Sequence, residues 1–160
     1  MVIHNLCTQA YKGYPAKSKF FGGIALFTRR FIGTDLTSPI DGVTPVDGDS
    51  FKIGKLSKHH FVREVATIVT DADDTSDIVT IGYTDGTNTS ATAFGNAGQL
   101  NSTGVVIESD DSLLMDEDDY YITITVPDIS NLDDDCEFTI AAVLWDISPA
   151  GITTAITSPV

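Results

Sequence analysis

The chain has 160 residues, 42% of them apolar, with nine Lys and Arg against 23 Asp and Glu and a formal net charge of −14. That length suits one domain burying about 70% of its unfolded surface, and the apolar content excludes a disordered polymer. The longest apolar runs, such as IAAVLW at 140 to 145, fall well short of the roughly 20 residues of a spanning helix, so no membrane association is expected.

The charge is unevenly distributed. Residues 1 to 63 hold all nine bases and four acids, whereas residues 64 to 160 hold nineteen acids and no base. A two-sided object is expected, with a cationic region that docks on a partner and an acidic body that faces water. Nucleic acid is not an expected partner, because phosphate binding needs clustered Lys and Arg. The start of the chain, MVIHNLCTQ, has neither the basic residues nor the apolar core of a secretion signal. Cys7 and Cys136 match no metal spacing and read as reduced cytosolic thiols.

Residues 1 to 19 carry Gly13, Pro15 and three lysines without a sustained period, which suggests an extended N-terminal arm. FFGGIALFTRRFI, residues 20 to 32, is the first strand candidate, with Ala25, Phe27, Arg29 and Phe31 alternating with Leu26, Thr28, Arg30 and Ile32. Residues 33 to 50 read as loop, broken by Gly33, Pro39, Gly42, Pro45 and Gly48. FKIGKL, residues 51 to 56, and residues 61 to 70 follow as two strands expected to pair as a ribbon across the turn SKHH. In the second of these, Phe61, Arg63, Val65, Thr67 and Val69 are placed inward.

DADDTSD, at 71 to 77, is an acidic turn. IVTIGYT is the next strand, and Asp85-Gly86 closes it as a hairpin. Short strands are expected near residues 91 to 94 and at VVIES. Tyr120, Ile122, Ile124 and Val126 alternate with Tyr121, Thr123 and Thr125, the strongest period-two signal in the chain. Pro127 ends that strand, and CEFTIAAVLWDI is expected to complete a last hairpin with it. Apolar residues on both faces of CEFTIAAVLWDI suggest a central or interface strand. The tail, residues 148 to 160, has no charge and reads as extended. Seven or eight short strands and no convincing helix indicate an all-β protein. The expected architecture is an antiparallel β-sandwich, jelly-roll-like, spanning residues 20 to 147.

No catalytic motif is visible. G-x-S-x-G is absent, neither cysteine has a neighbouring His, and there is no Gly-rich phosphate loop. His59 and His60 are adjacent on an extended chain and point to opposite sides, so they make no chelating pair. The acidic turns at 71 to 77, 116 to 119 and 133 to 135 are candidate calcium ligands if they converge. An EF-hand starting at Asp71 fails, because Ser76 stands where Gly is required and Gly82 where Glu is required. No enzyme activity and no cofactor are expected.

The order D-x-F-K-I-G-K-L, V-x-x-V-A-T-I-V-T-D, I-V-T-I-G-Y-T-D-G-T, Y-I-T-I-T-V and F-T-I-A-A-V-L resembles the small β-sandwich virion proteins of tailed bacteriophages. Among these are head decoration (cement) proteins. The resemblance covers residues 45 to 147 and rests on strand order and spacing. It implies a non-enzymatic protein assembled in the host cytoplasm, located on the capsid surface, bound to the major capsid protein, often as a homotrimer, and reinforcing the shell. With the charge split it makes Lys12, Lys17, Lys19, Arg29, Arg30, Lys52, Lys55 and Lys58 the candidate capsid-docking cations. The alternatives are a calcium-assisted carbohydrate-binding β-sandwich of a tail or fibre, and a structural protein of the neck or tail.

Overall fold

The computed structural model describes residues 2–6, 19–21, 24–56, 60–74, 78–87, 89–94, 99–108, 113–114 and 120–146. In chain order the strands are β1 (Ile3–Asn5), β2 (Lys19–Phe21), β3 (Ile24–Ile32), β4 (Ser50–Leu56), β5 (His60–Asp71), β6 (Thr80–Thr84), β7 (Thr89–Ser90), β8 (Gly104–Glu108), β9 (Leu113–Leu114), β10 (Tyr120–Thr125) and β11 (Glu137–Asp146). A short helix, α1 (Gly33–Thr37), follows β3.

The strands form two sheets. Sheet A runs β1-β4-β10-β6-β7 and sheet B runs β2-β3-β11-β5-β8, with β9 also paired to β5. Setting aside the short β1, β2 and β9, the orders β4-β10-β6-β7 and β3-β11-β5-β8 form the jelly-roll-like sandwich expected from the sequence. Of the connections between these eight strands, all but the β6–β7 hairpin pass from one sheet to the other. The expected ribbon of residues 51 to 56 with 61 to 70 therefore does not form, because β4 lies in sheet A and β5 in sheet B. The expected last hairpin fails for the same reason: β10 pairs with β4 and β6, and β11 with β3 and β5. Alternation shows which face of a strand is buried but not which sheet it joins.

The core lies between the sheets. Phe51, Ile53, Leu56, Ile81, Ile122 and Ile124 from sheet A meet Phe31, Val65, Phe138, Ile140 and Leu144 from sheet B. Phe31 and Phe138 are opposite one another in the β3–β11 register and stack with centroids 5.3 Å apart. β11 is the central strand of sheet B. Cys136, Phe138, Ile140, Ala142 and Leu144 point into the core, as their phase requires.

The strand registers slip at Thr70 and Arg63 of β5 and at Ile53 of β4, and the last two change which side chains face the core. Arg63 has no partner in the β5–β11 register, so Val62 turns inward (1% exposed) and Arg63 is exposed, reversing the expected pair while Val65, Thr67 and Val69 stay inward. The β4–β10 register skips Ile53, leaving it and Gly54 on the same side. A Cβ on Gly54 would lie 2.4 Å from the Phe27 ring, so glycine is required for the sheets to close here.

Helix α1 lies where breakers had indicated loop. Leu36 is fully buried, Gly33 N–H donates to the Cys136 carbonyl (2.8 Å), and the Asp35 carboxylate accepts the Ile32 N–H (2.9 Å). One apolar plug and three anchored N–H groups, counting that of Thr34 on the Asp134 carbonyl, outweigh a sequence with little helix propensity. Residues 91 to 94 form a turn, and the short strand expected there is instead β7, just before it.

Candidate interaction surfaces

The candidate docking cations do not share one face. Arg29 follows the inward phase of Phe27 and Phe31 and is 6% exposed. Its guanidinium donates to the Ile53 carbonyl (2.7 Å) and the Leu6 carbonyl (2.9 Å) and sits over the Phe31 ring, 5.5 Å from its centroid. It is an internal brace between the sheets, with no surface left for docking. Arg30, one residue on, lies on the outer face of sheet B and pairs with Glu137, whose carboxyl is held below its ordinary range by hydrogen bonds from Arg30 and Thr70. Lys52 and Lys55 lie together on the outer face of sheet A. The Lys52 ammonium is 4.5 Å from the Tyr121 ring centroid, and Lys55 is exposed. Lys19 is in β2. Lys12, Lys17 and Lys58 lie outside the described residues.

Two acidic turns do meet. Asp74 N–H donates to Asp133 Oδ2 (2.8 Å), and Asp133 N–H donates to Asp73 Oδ2 (3.3 Å). These carboxylates are engaged in holding each other's backbone, which accounts for their proximity without a cation. Among the described residues no group of three His, Cys, Asp or Glu is arranged to hold a metal; residues 116 to 119 lie outside them. Cys136 is buried beside this end. Burial, then the charges of Asp73, Asp133, Asp71 and Asp135, push its thiol up to about 12, so it stays protonated and unreactive at neutral pH.

Several of the exposed apolar side chains among the described residues are on sheet B. Leu26 (48% exposed), Trp145 (42%), Val105 (59%) and Ile107 (58%) lie on its outer face, with Phe61 beside Trp145 at a centroid distance of 5.8 Å. The sequence signal for these was the apolar weight on both faces of CEFTIAAVLWDI.

The N-terminus carries a feature not visible in the sequence. β1 pairs in parallel with β4, so the first residues of the expected arm belong to sheet A. His4, 4% exposed, stacks on Phe51, and its Nε2 is 3.0 Å from Asp49 Oδ2. Asp49 Oδ1 accepts the Val2 N–H (2.6 Å) and Oδ2 the Val46 N–H (3.1 Å). Burial raises the Asp49 carboxyl, but the Val2 and Val46 N–H groups and His4 outweigh it, and the net position is below the ordinary 3.8. A depressed carboxyl contributes stability that is present above its unfolded pKa and is lost as pH falls through the folded one. The melting temperature is therefore expected to fall on acidification below about pH 3.8, and to fall less steeply in Asp49→Asn. Melts from neutral pH to about pH 2 check this. Parallel curves for the two proteins would remove Asp49 from the acid response.

No protein-family model matches the chain, and no curated protein matches it. Solved structures do. A chain of the acidic stable capsid of Helicobacter pylori bacteriophage KHP30 superposes with a TM-score of 0.55 at 12% identity, over 78% of this chain and 89% of that one. A chain of the capsid of Ralstonia phage GP4 gives 0.53 at 12% identity, over 92% and 99%. A chain of the cyanophage Pam1 capsid asymmetric unit gives 0.51 at 17% identity, over 86% and 94%. The fold is one that occurs in phage capsids. At these identities the likeness concerns the path of the backbone, and no side chain is carried over from it.

Proposed function

We propose that this chain is a non-enzymatic structural protein of a bacteriophage virion, and within it a decoration protein that binds the outer surface of the head and stabilises the shell. The observation supporting this is the superposition on chains from three phage capsids, over 78–92% of this chain and 89–99% of those. The surface fits the role. A homotrimer would bury the Trp145 and Phe61 end of sheet B between copies, while Lys52 and Lys55, on the opposite face, with Lys12, Lys17, Lys19 and Lys58, meet acidic patches of the major capsid protein. Each exposed ion pair contributes on the order of 0–1 kcal/mol, so lasting attachment rests on several contacts and on threefold avidity.

The test is co-sedimentation of the purified protein with expanded, decoration-free capsids. Binding that raises the heat resistance of the shell is expected, weakening with salt and with Lys52→Glu plus Lys55→Glu. Binding insensitive to both would refute the electrostatic part. A purified protein that stays in the supernatant while such capsids pellet would exclude the head and favour the neck or tail. Light scattering at micromolar concentration is expected to give a trimer, and a monomer there would count against the Trp145 contact.

A further inference from the structure

The chain contains three Asp-Gly steps: Asp41-Gly42, Asp47-Gly48 and Asp85-Gly86. Such a step can cyclise, because glycine has no side chain to shield its nitrogen from the aspartyl carboxyl before it. The Gly nitrogen attacks Cγ, the new N–C bond closes a five-membered imide, and the amide hydrogen and the acid hydroxyl leave as water. Water then opens the ring. Addition at Cγ restores aspartate, whereas addition at the main-chain carbonyl carries the backbone through Cβ and gives isoaspartate. No reactant but water is involved, and the atoms lost at closure return at opening. The two groups must be free to meet, so a hydrogen bond on either has to be given up first.

Two of the three steps are tied at both groups. Asp47 Oδ1 accepts the Ser130 N–H (2.9 Å), its Oδ2 accepts the Ser130 hydroxyl (3.2 Å), and the Gly48 N–H donates to the Val126 carbonyl (3.3 Å). Asp85 Oδ1 accepts the Thr87 N–H (2.7 Å), and the Gly86 N–H donates to Thr84 Oγ1 (3.1 Å). Asp41-Gly42 differs. Both residues are exposed, and among the described residues neither the Asp41 carboxylate nor the Gly42 N–H has a hydrogen-bond partner. The backbone here holds its ends and leaves its middle loose. Ile40 and Val43 each donate an N–H to the other's carbonyl (2.8 and 3.0 Å), which closes a two-residue turn with positive φ at Asp41 (51°) and Gly42 (80°). The peptide between Asp41 and Gly42 takes part in neither bond, so it can rotate while the turn stays closed. Space is available, with nothing within 4 Å of the position a Gly42 Cβ would occupy.

We propose that Asp41 is a site of spontaneous covalent modification in the native protein. It converts to isoaspartate through an imide with Gly42, and the fold protects Asp47 and Asp85 from the same change. Giving up two hydrogen bonds of ordinary net strength slows a protected step by about fivefold to over a hundredfold. The product lengthens the turn between Ile40 and Val43 by one backbone atom.

The test keeps the folded full-length protein in warm, mildly acidic buffer for weeks, beside a sample held unfolded in urea. Peptides from both are sequenced by electron-transfer fragmentation, which separates isoaspartate from aspartate of the same mass. Dividing each folded rate by the unfolded rate at the same site removes the effect of neighbouring residues and leaves that of the fold. This ratio is expected to be at least about fivefold larger at Asp41 than at Asp47 or Asp85. An equal or larger ratio at either of those two would overturn the proposal. So would a folded sample free of isoaspartate at 41 when the unfolded sample has formed it there.

Discussion

Phe138→Ala is expected to destabilise the protein by about 3–5 kcal/mol, the range for removing a large buried ring. Phe138 and Phe31 are both fully buried, stack on one another, and join adjacent strands at the middle of sheet B. The cavity left behind would be walled by strands already paired on both sides, which restricts how far the site can collapse. For a domain of this size the loss corresponds to a fall in melting temperature on the order of 10 °C. Equilibrium denaturation with an unchanged dependence on denaturant concentration is the measurement. A loss below about 1 kcal/mol would show that the two rings do not carry the core.

The second large effect is expected at Arg29. Changing it to Leu keeps an apolar stem of similar length but leaves the Leu6 and Ile53 carbonyls, which Arg29 now joins, without those donors in a buried setting. With about 1–3 kcal/mol for each stranded acceptor, a loss of about 2–4 kcal/mol is expected. Arg29→Lys is expected to recover part of it, since one ammonium replaces the forked guanidinium less well at two carbonyls. The loss should be accompanied by faster amide exchange at residues 2 to 6, because Arg29 fastens Leu6 to sheet B. Arg30→Ala, by contrast, should leave stability nearly unchanged. Were Arg29 a docking cation, the result would be reversed: Arg29→Leu would weaken capsid binding and leave the melting curve where it was.

The contrast between these adjacent arginines shows how far the sequence could be read. Period two in residues 20 to 32 already places Arg29 in phase with Phe27 and Phe31 and Arg30 out of phase, so the burial of one and exposure of the other were legible. What obscured them was counting charge along the chain without regard to face. The strands themselves were legible for the same reason: Ile122, Ile124, Phe138, Ile140 and Leu144 occupy their expected faces. The pairing of strands was not, because proximity in sequence favours hairpins, and here the chain crosses between sheets. Bulges at Arg63 and Ile53 have no residue signature and become visible only against a partner strand. Helix α1 depends on Leu36 finding a hole and on carbonyls more than 90 residues away in sequence, which local propensity does not register. The His4–Asp49 contact escaped for a similar reason, since nothing local links residues 45 apart.

The crossing of the chain between the sheets also bears on how the molecule forms and fails. Neighbours within either sheet are mostly distant in sequence, so little of the structure is local, and closing long loops must precede the contacts that stabilise them. Such topologies fold in milliseconds to seconds rather than microseconds. The same linkage acts in reverse. Neither sheet is built from a contiguous stretch of chain, so no half of the sandwich can peel away with its own strands intact, and loss of the native state is expected to be all-or-none. Persistence in a harsh environment would then be governed by the rate of a single global opening event.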